Sequence, residues 1–227
     1  NLYIYNFFKI PTLEFMKIMA LPFLFAVSLL TLCSLFFPKK KMELSKQEDQ
    51  ISLSPKRTSA YLVLFVLSIL AVFGIVHYLI ATAIILVGVL ILDRKALLKV
   101  DYPLLFTFLM FFIFAGNMGR IDAVRDFFSY LLNINTLIFS AMSCQFISNV
   151  PSAILLSQFT DNYRELLLGV NIGGVGTLIS SLASLITFRE YTKQQPKHTV
   201  GYVLKFSMFN FAFLVILILV CELVKCI

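Results

Sequence analysis

The stretch Cys144-Gln145-Phe146-Ile147-Ser148-Asn149-Val150-Pro151 carries a polar, helix-breaking turn inside otherwise apolar sequence. A second break follows in the next apolar stretch, at Asn171-Ile172-Gly173-Gly174-Val175-Gly176-Thr177. Hydrocarbon holds no water for backbone N–H and C=O groups, so irregular backbone at membrane depth is buried in protein or lines a cavity. Discontinuous helices of this kind hold substrates and coupling ions in secondary transporters. The two breaks therefore favour a role in transport.

The composition indicates a membrane protein. Hydrophobic residues make up 59% and charged residues 14% of the 227 residues, and the mean hydropathy is +0.91. Soluble domains carry about 25% charged residues. The net charge of +7 comes from Lys and Arg in short segments between apolar runs, a pattern that the positive-inside rule explains without nucleic acid. We predict an all-α, polytopic protein of the cell (plasma) membrane. Its expected partner is the lipid bilayer, and no nucleic acid is expected to bind.

The longest uncharged run shows how the apolar sequence divides into spans. Residues 59–92 contain no charged side chain. One helix of that length would be about 51 Å long, whereas the hydrocarbon core is about 30 Å thick. We therefore predict two short spans that meet near residues 74–78. Uninterrupted spans are expected at residues 13–37, 102–118 and 199–224.

A re-entrant helical hairpin is predicted over about residues 134–160. The apolar run after its break, residues 152–159, is too short to cross a bilayer, so the chain is expected to leave on the side where it entered. Residues 165–188 are long enough to cross as a broken transmembrane helix. Before the hairpin, residues 119–132 place apolar side chains at spacings of three and four, which predicts an amphipathic arm in the membrane interface.

The distribution of basic residues supports the hairpin. With the polar linker in the cytoplasm, the loops predicted inside hold 12 Lys and Arg residues, against three outside. A full crossing by the hairpin segment would move the basic loop before the last span to the outside, against the positive-inside rule. The inside loops are residues 38–58, 93–101 and 189–198, and the outside basic residues are Arg120, Arg125 and Arg164.

The two breaks supply the candidate site. A hairpin tip exposes backbone groups, and its Ser hydroxyl and Asn amide suit hard cations and carboxylates. Glycines in the second break let backbone approach a ligand closely. The alternatives are a tight turn at the first break and packing of small residues between helices at the second. The predicted substrate- and ion-binding residues are Ser148, Asn149, Pro151, Asn171, Gly173, Gly174, Gly176 and Thr177.

No motif of the sequence indicates an enzyme. The four cysteines form no CxxC pair, the two histidines stand apart, and nothing resembles a Ser–His arrangement or a zinc HExxH site. The spans also lack the central carboxylate that proton-coupled pumps usually keep. We therefore predict no catalytic residues and no cofactor, and no metal beyond a possible coupling Na⁺ at the two breaks, with H⁺ as the other possible coupling ion.

From about Asp101 onward the chain resembles the ion-transporter superfamily, which contains citrate and dicarboxylate carriers, arsenite pumps and sodium/proton antiporters. It is most similar to the arsenite-permease and citrate-transporter-like branch. Ser148 and Asn149 match the first two residues of the Ser-Asn-Thr signature of the related divalent anion:sodium symporters, whereas Val150 and Pro151 depart from it. The resemblance is carried by DYPLL (101–105), FISNVPSAILLS (146–157) and LLLGVNIGGVGTLISSLASLI (166–186).

The resemblance implies the architecture of a carrier with two inverted repeats, each with a hairpin and a broken helix. Residues 59–227 would be the C-terminal repeat, residues 1–37 the last transmembrane helix of a preceding half, and residues 38–58 the cytoplasmic linker. The missing N-terminal repeat and a possible homodimer partner would complete the assembly. Such a protein would be a secondary active transporter of a small inorganic or organic anion or ion, of the citrate or carboxylate, arsenite or Na⁺/H⁺ type. The alternative is a non-transporting membrane subunit or degenerate half-transporter.

Overall fold

The computed structural model describes residues 2–36 and 54–225, and every regular element within these ranges is helical. The predicted all-α, polytopic membrane fold is thereby confirmed. Three of the described helices are long and apolar enough to cross a membrane, or four if one sharply bent helix pair counts as a span. Most of the predicted cytoplasmic linker lies outside the described residues. The helices are α1 (Leu2–Phe7), α2 (Thr12–Leu35), α3 (Pro55–Val72), α4 (Tyr78–Leu92), α5 (Arg94–Leu98), α6 (Tyr102–Met118), α7 (Asp122–Ile134), α8 (Thr136–Ile147), α9 (Asn149–Leu156), α10 (Tyr163–Ile172), α11 (Leu182–Gln194) and α12 (Thr199–Lys225), with a 3₁₀ turn at Pro196–His198.

The chain forms two compact units, and the smaller one is a pair of apolar helices. It comprises Phe36–Leu104, and its described part contains α3, α4 and α5. A turn after α3 includes Gly74 at φ +72°, a conformation that suits glycine. A Cβ on Gly88 would lie 3.0 Å from Leu64 Cδ2, and these two residues are similarly distant from the turn. The two helices therefore pack antiparallel, as expected for two short spans.

The larger unit comprises Asn1–Leu35 and Leu105–Ile227 and contains both breaks. Its buried apolar core lies where α8, α9 and α10 pack together. Around that core, α2, α6 and α12 expose large apolar side chains over much of their length. Such surfaces are expected to face hydrocarbon, which solvates them without cost.

A bend of 98° separates α6 from α7. α7 is amphipathic, and its apolar side contacts the core through Val124 and Phe128. This geometry agrees with an arm that turns away from a spanning helix. Its place in the interface plane stays a prediction.

The predicted hairpin is formed by α8 and α9. Ser148 between them has φ +71°, a left-handed conformation rare outside glycine, and it reverses the chain within one residue. Pro151 lies in the first turn of α9, where a missing N–H costs little. The hydroxyl oxygens of Ser143 and Ser152 are 3.1 Å apart, so the two arms run back along each other.

The far end of the hairpin returns to its beginning. The Phe159 ring stacks on Phe128 of α7 with centroids 5.0 Å apart, and Ser129 Oγ donates to Phe159 O at 3.1 Å. α7 is the helix that leads into α8. Both ends of the hairpin therefore lie together, which we call its mouth, and the turn at Ser148 lies at the opposite end.

The helix α12 gives a length scale for the unit. Near its C-terminal end, Glu222 Oε1 accepts a hydrogen bond of 2.9 Å from Asn135 Nδ2 at the mouth. Near its N-terminal end, Tyr202 stacks on Tyr191 of α11 at 4.4 Å. About twenty helical residues between these contacts span about 30 Å, the thickness of the hydrocarbon core. The mouth and the end of α11 therefore lie about one membrane thickness apart.

The broken helix runs from the level of the mouth to the level at which α11 ends. α10 begins beside the mouth and runs alongside α2, because the Tyr163 hydroxyl donates to Glu14 at 2.6 Å and Asn171 Nδ2 approaches the Met19 sulfur at 3.5 Å. The chain leaves helical geometry over residues 173–181 and resumes as α11. The predicted interruption near residues 165–188 is thus present.

Two local features differ from the sequence expectation. The basic segment 189–198, expected as a loop, is helical through Gln194, because the polar residues extend α11 beyond its apolar part. The first ten residues, for which no element was expected, contain α1, which buries Ile4 and Tyr5 against the core. The assignment of residues 1–37 and 59–227 to successive halves of a carrier stays a prediction.

Close contact between α8 and α10 depends on two glycines one turn apart. A Cβ on Gly169 would lie 2.5 Å from Leu137 O, and one on Gly173 would lie 2.8 Å from Ala141 Cα. Small residues at this spacing let membrane helices approach closely. The packing alternative is therefore realised at Gly173.

We expect Gly169→Ala to destabilise the fold by about 1–3 kcal/mol, because the added methyl group meets backbone that must move. Gly201→Ala is the matched control, since a Cβ there meets nothing within 4 Å. SDS-induced unfolding of the purified protein, followed by circular dichroism, measures both. Equal stability of the two variants would contradict the packing argument.

Single cysteines in a cysteine-free background test the arrangement of the hairpin. Asn133→Cys and Asp161→Cys, both exposed and at the mouth, should react with a membrane-impermeant maleimide from the same face. Lys197→Cys, exposed after α11, should react only from the opposite face. Labelling of the first two cysteines from opposite faces would mean that the hairpin segment crosses the membrane.

Candidate functional site

The two helix breaks meet inside the larger unit. Ser180 O accepts hydrogen bonds from Asn149 N at 2.9 Å and from Ser148 Oγ at 3.3 Å. α8 has 12 residues and α10 has 10, so they carry the chain about 18 Å and 15 Å from the mouth before they end. With the mouth at a membrane face, as the re-entrant hairpin predicted from the sequence requires, both breaks would lie near the middle of a hydrocarbon core about 30 Å thick.

The side chain of Gln145, in the last turn of α8, connects the two breaks. Its Nε2 lies 2.8 Å from Gly173 O and 3.1 Å from Val175 O, and also 3.0 Å from Ala141 O in its own helix. Its Oε1 accepts from Thr177 N at 2.9 Å. The Thr177 hydroxyl donates to the main-chain oxygen of Gln145 at 3.0 Å. One amide group thus satisfies three backbone groups of the second break.

Ser180 closes the second break from its other end. Its side chain is fully buried, and its hydroxyl lies within hydrogen-bond distance of Gly174 O at 2.9 Å and Thr177 O at 2.8 Å. Its backbone N–H donates to Thr177 Oγ1 at 3.2 Å. Most carbonyl groups released where α10 ends are therefore satisfied within the protein.

The side-chain amide of Asn149 differs from these groups. It lies beside Gly174, where an added Cβ would be 3.1 Å from Asn149 Nδ2, and it is half-buried. Within residues 2–36 and 54–225 it makes no hydrogen bond. Asn149 is also the first residue of α9, at the positive end of that helix. It is therefore a polar group at the junction that is available to a ligand.

The helix ends at the junction determine its electrostatics. α9 begins at Asn149 and α11 begins at Leu182, so two helix N-termini face the junction. No Asp, Glu, Lys, Arg or His lies between residues 136 and 160 or between residues 166 and 188. Among the described residues, no group of three His, Cys, Asp or Glu could hold a metal ion. α8 and α10 also end there, at Ile147 and Ile172, so the polarity of the junction comes from backbone dipoles of both signs and from amide groups.

The predicted site residues fall into two groups. Ser148, Asn149, Gly174, Gly176 and Thr177 are brought together at the junction. The other three direct their side chain or Cα elsewhere, although Gly173 O accepts a hydrogen bond from Gln145 at the junction. Pro151 is buried in α9 and lines an apolar groove of about 430 Å³, Gly173 packs on α8, and Asn171 Nδ2 donates to Leu167 O at 2.7 Å and faces α2.

Gln145 and Ser180 were missing from the predicted site. Gln145 was visible as an amide in an apolar helix one turn before Ser148, but its partners lie about thirty residues further along the chain. Ser180 belongs to a run of small residues that was attributed to helix packing. In both cases the contact depends on the way the two breaks are brought together.

The chain is similar to two curated membrane proteins. One is an uncharacterized transporter of Methanocaldococcus jannaschii, 36% identical over 193 residues that cover 83% of this chain and 51% of the relative. The other is the inner membrane protein YbiR of Escherichia coli, 31% identical over 166 residues that cover 72% and 44%. The chain thus spans about half the length of the curated relatives it matches.

Other comparisons add no narrower assignment. No family model matches the chain, and no solved structure matches it. The relatives support a membrane protein related to transporters. The narrower resemblance to the arsenite-permease and citrate-transporter branch stays a prediction.

The two central glycines of the second break should respond differently to substitution. Gly176 has φ +131°, and a Cβ there would overlap the Gln145 amide, so Gly176→Ala should destabilise the protein by more than about 1 kcal/mol. A Cβ on Gly174 would lie 3.1 Å from Asn149 Nδ2, at the end of a side chain that can move, and 3.3 Å from the Asn171 backbone oxygen. Gly174→Ala should therefore destabilise the protein less than Gly176→Ala. SDS-unfolding midpoints test this order, and a larger loss for Gly174→Ala would contradict the junction geometry.

Proposed function

We propose that the chain is part of a secondary active transporter of a small inorganic or organic anion in the cell (plasma) membrane. The observation that best supports this is the pairing of two helix breaks near mid-depth, with the Asn149 amide left without a partner. Discontinuous helices at the midplane are the common architecture of substrate sites in secondary transporters. The name of the Methanocaldococcus jannaschii relative also supports transport.

The choice of an anion follows from the balance of donors and acceptors at the junction. The carbonyl oxygens of Gly173, Gly174 and Val175 already accept hydrogen bonds from Gln145 or Ser180. The Asn149 amide remains available at the start of α9, with its oxygen and both N–H groups unpaired, and there its N–H groups can donate to an anion. Backbone N–H groups and the helix dipole make a helix N-terminus favourable to negative charge. A citrate-like carboxylate, another carboxylate or arsenite fits this class.

Coupling to Na⁺ is proposed in preference to H⁺. The junction offers the hydroxyl oxygens of Ser148 and Thr177 and the amide oxygen of Asn149, which are ligands that hard cations prefer, and contains no carboxylate or imidazole that could carry a proton. Because the curated relatives are about twice as long, the proposal includes a second, inverted repeat as partner, and a possible homodimer. The function proposed for the chain is binding and movement of an ion, and no enzymatic activity.

Uptake into proteoliposomes tests the proposal, with radiolabelled citrate, succinate and arsenite as probes and Na⁺ or H⁺ gradients as drives. The full-length protein should accumulate at least one probe under a Na⁺ gradient. Asn149→Ala should lower that uptake at subsaturating substrate by about 10- to 100-fold, the effect of losing one hydrogen bond to a charged group.

Asn210→Ala is the matched control, because that amide already donates to Phe206 O within its own helix, α12. It should keep uptake near the wild-type rate. If wild-type vesicles take up none of the probes above empty vesicles, the proposal fails and a non-transporting membrane subunit becomes the better assignment. Equal uptake by Asn149→Ala and the wild type would reject the site but not the transport activity.

A further inference from the structure

The contacts of Gln145 indicate a role beyond satisfying the carbonyl groups that the second break leaves without a helical partner. It belongs to the hairpin, yet the partners of its side chain beyond its own helix all lie in the second break, at Gly173, Val175 and Thr177. Gly176 lies against the same amide and has no room for a side chain. The loop is therefore shaped around this one residue.

The loop is held at a second point as well. Ser180 O accepts from Asn149 N and Ser148 Oγ, so the far end of the loop binds the tip of the hairpin. Between these two attachments the Ser180 hydroxyl donates its one proton to either Gly174 O or Thr177 O and so ties the loop to itself. The position of Asn149 relative to Gly174 therefore depends on the whole loop, and Gln145 holds its other end.

We propose that Gln145 is the positioning residue of the junction: its amide fixes the loop 173–181 against the hairpin and thereby sets where the Asn149 side chain stands. The proposal rests on the proposed function only in taking Asn149 as a group that contacts the ion. Gln145 itself acts through Asn149 and Thr177. The two breaks consequently behave as one structural body.

A purely local role for Gln145 makes a different prediction. If it only stabilised the loop next to it, its removal would loosen residues 173–177 and leave the hairpin tip unchanged. If it positions the junction, its removal should also weaken the bond between Asn149 N and Ser180 O. The two roles are therefore separated by the behaviour of the tip.

Hydrogen–deuterium exchange of the full chain in nanodiscs measures both places in one experiment. In Gln145→Ala, peptides covering residues 146–150 and 173–181 should both exchange at least about tenfold faster, as expected when buried hydrogen bonds are lost. Gln158→Ala is the control, since that half-buried amide lies near Gly119, at the other end of α9. It should leave both peptides unchanged. Faster exchange in 173–181 alone would overturn the proposal.

The substitution Gln145→Glu gives a second readout that overall stability would not reproduce. Its carboxyl group, when protonated, can donate one hydrogen bond and still accept from Thr177 N, whereas the ionised group faces carbonyl oxygens without a proton. Burial raises the pKa of a carboxyl group above the value of about 4.3 for an exposed Glu. The hydrogen bonds of the protonated form therefore stabilise the junction at low pH, and this stabilisation is lost as the pH rises. Between Thr136 and Leu156 and between Leu166 and Ser181, Cys144 is the sole titratable side chain.

The excess exchange of Gln145→Glu over the wild type at both peptides should therefore shrink as the pH falls from about 8 to about 5, while that of Gln145→Ala stays constant. The proposal would be overturned if the exchange rate of Gln145→Glu relative to the wild type were as independent of pH as that of Gln145→Ala. In transport, Gln145→Ala should raise the half-saturating substrate concentration about tenfold, whereas Gln158→Ala should not.

These readouts separate the two claims. If the wild type transports none of the probes, the proposed function fails, and the exchange data still decide whether Gln145 holds the breaks together. If the wild type transports and Gln145→Ala keeps its half-saturating concentration and its tip protection, the role of Gln145 fails while transport stands.

Discussion

The structure depends on one constraint: backbone that leaves helical geometry at membrane depth must find its hydrogen bonds inside the protein. Residues 173–181 leave a helix in an apolar segment, and Ser148 does so at the hairpin turn. Partners cross between the breaks through the Gln145 amide and the Ser180 carbonyl group, and the Ser180 hydroxyl adds a bond within the second break. Neither break can satisfy all of its backbone hydrogen-bonding groups alone, so each requires the other to be in place.

Close helix packing is what allows this exchange. Gly169 and Gly173 let α10 approach α8 until backbone and Cβ atoms are in contact. At that separation a Gln side chain on α8 reaches across to carbonyl groups beyond the end of α10. Residues that look like simple packing glycines therefore determine the geometry of a polar junction several residues away.

The features that could be predicted from the sequence are local ones. Asn, Pro and Gly at the breaks, and the length of the uncharged run, predicted the hairpin, the broken helix and the paired short helices. The neighbour that an isolated polar side chain faces could not be predicted. Asn171 was assigned to the site, yet it faces Met19, 152 residues earlier in the chain. Gln145 was left out because its partners lie 28 to 32 residues away.

The internal pairing at the junction also bears on the charge of a ligand. Gln145 and Ser180 occupy acceptors of the second break, and the hairpin tip keeps an unpaired amide at the start of α9. In a medium that offers few other hydrogen-bond partners, an unpaired donor favours a ligand that accepts. Both the N–H groups and the oxygen of the Asn149 amide are unpaired, and its place at the N-terminus of α9 is what favours a negatively charged ligand without any basic side chain. On this argument the selectivity we propose arises from the pairing of the two breaks.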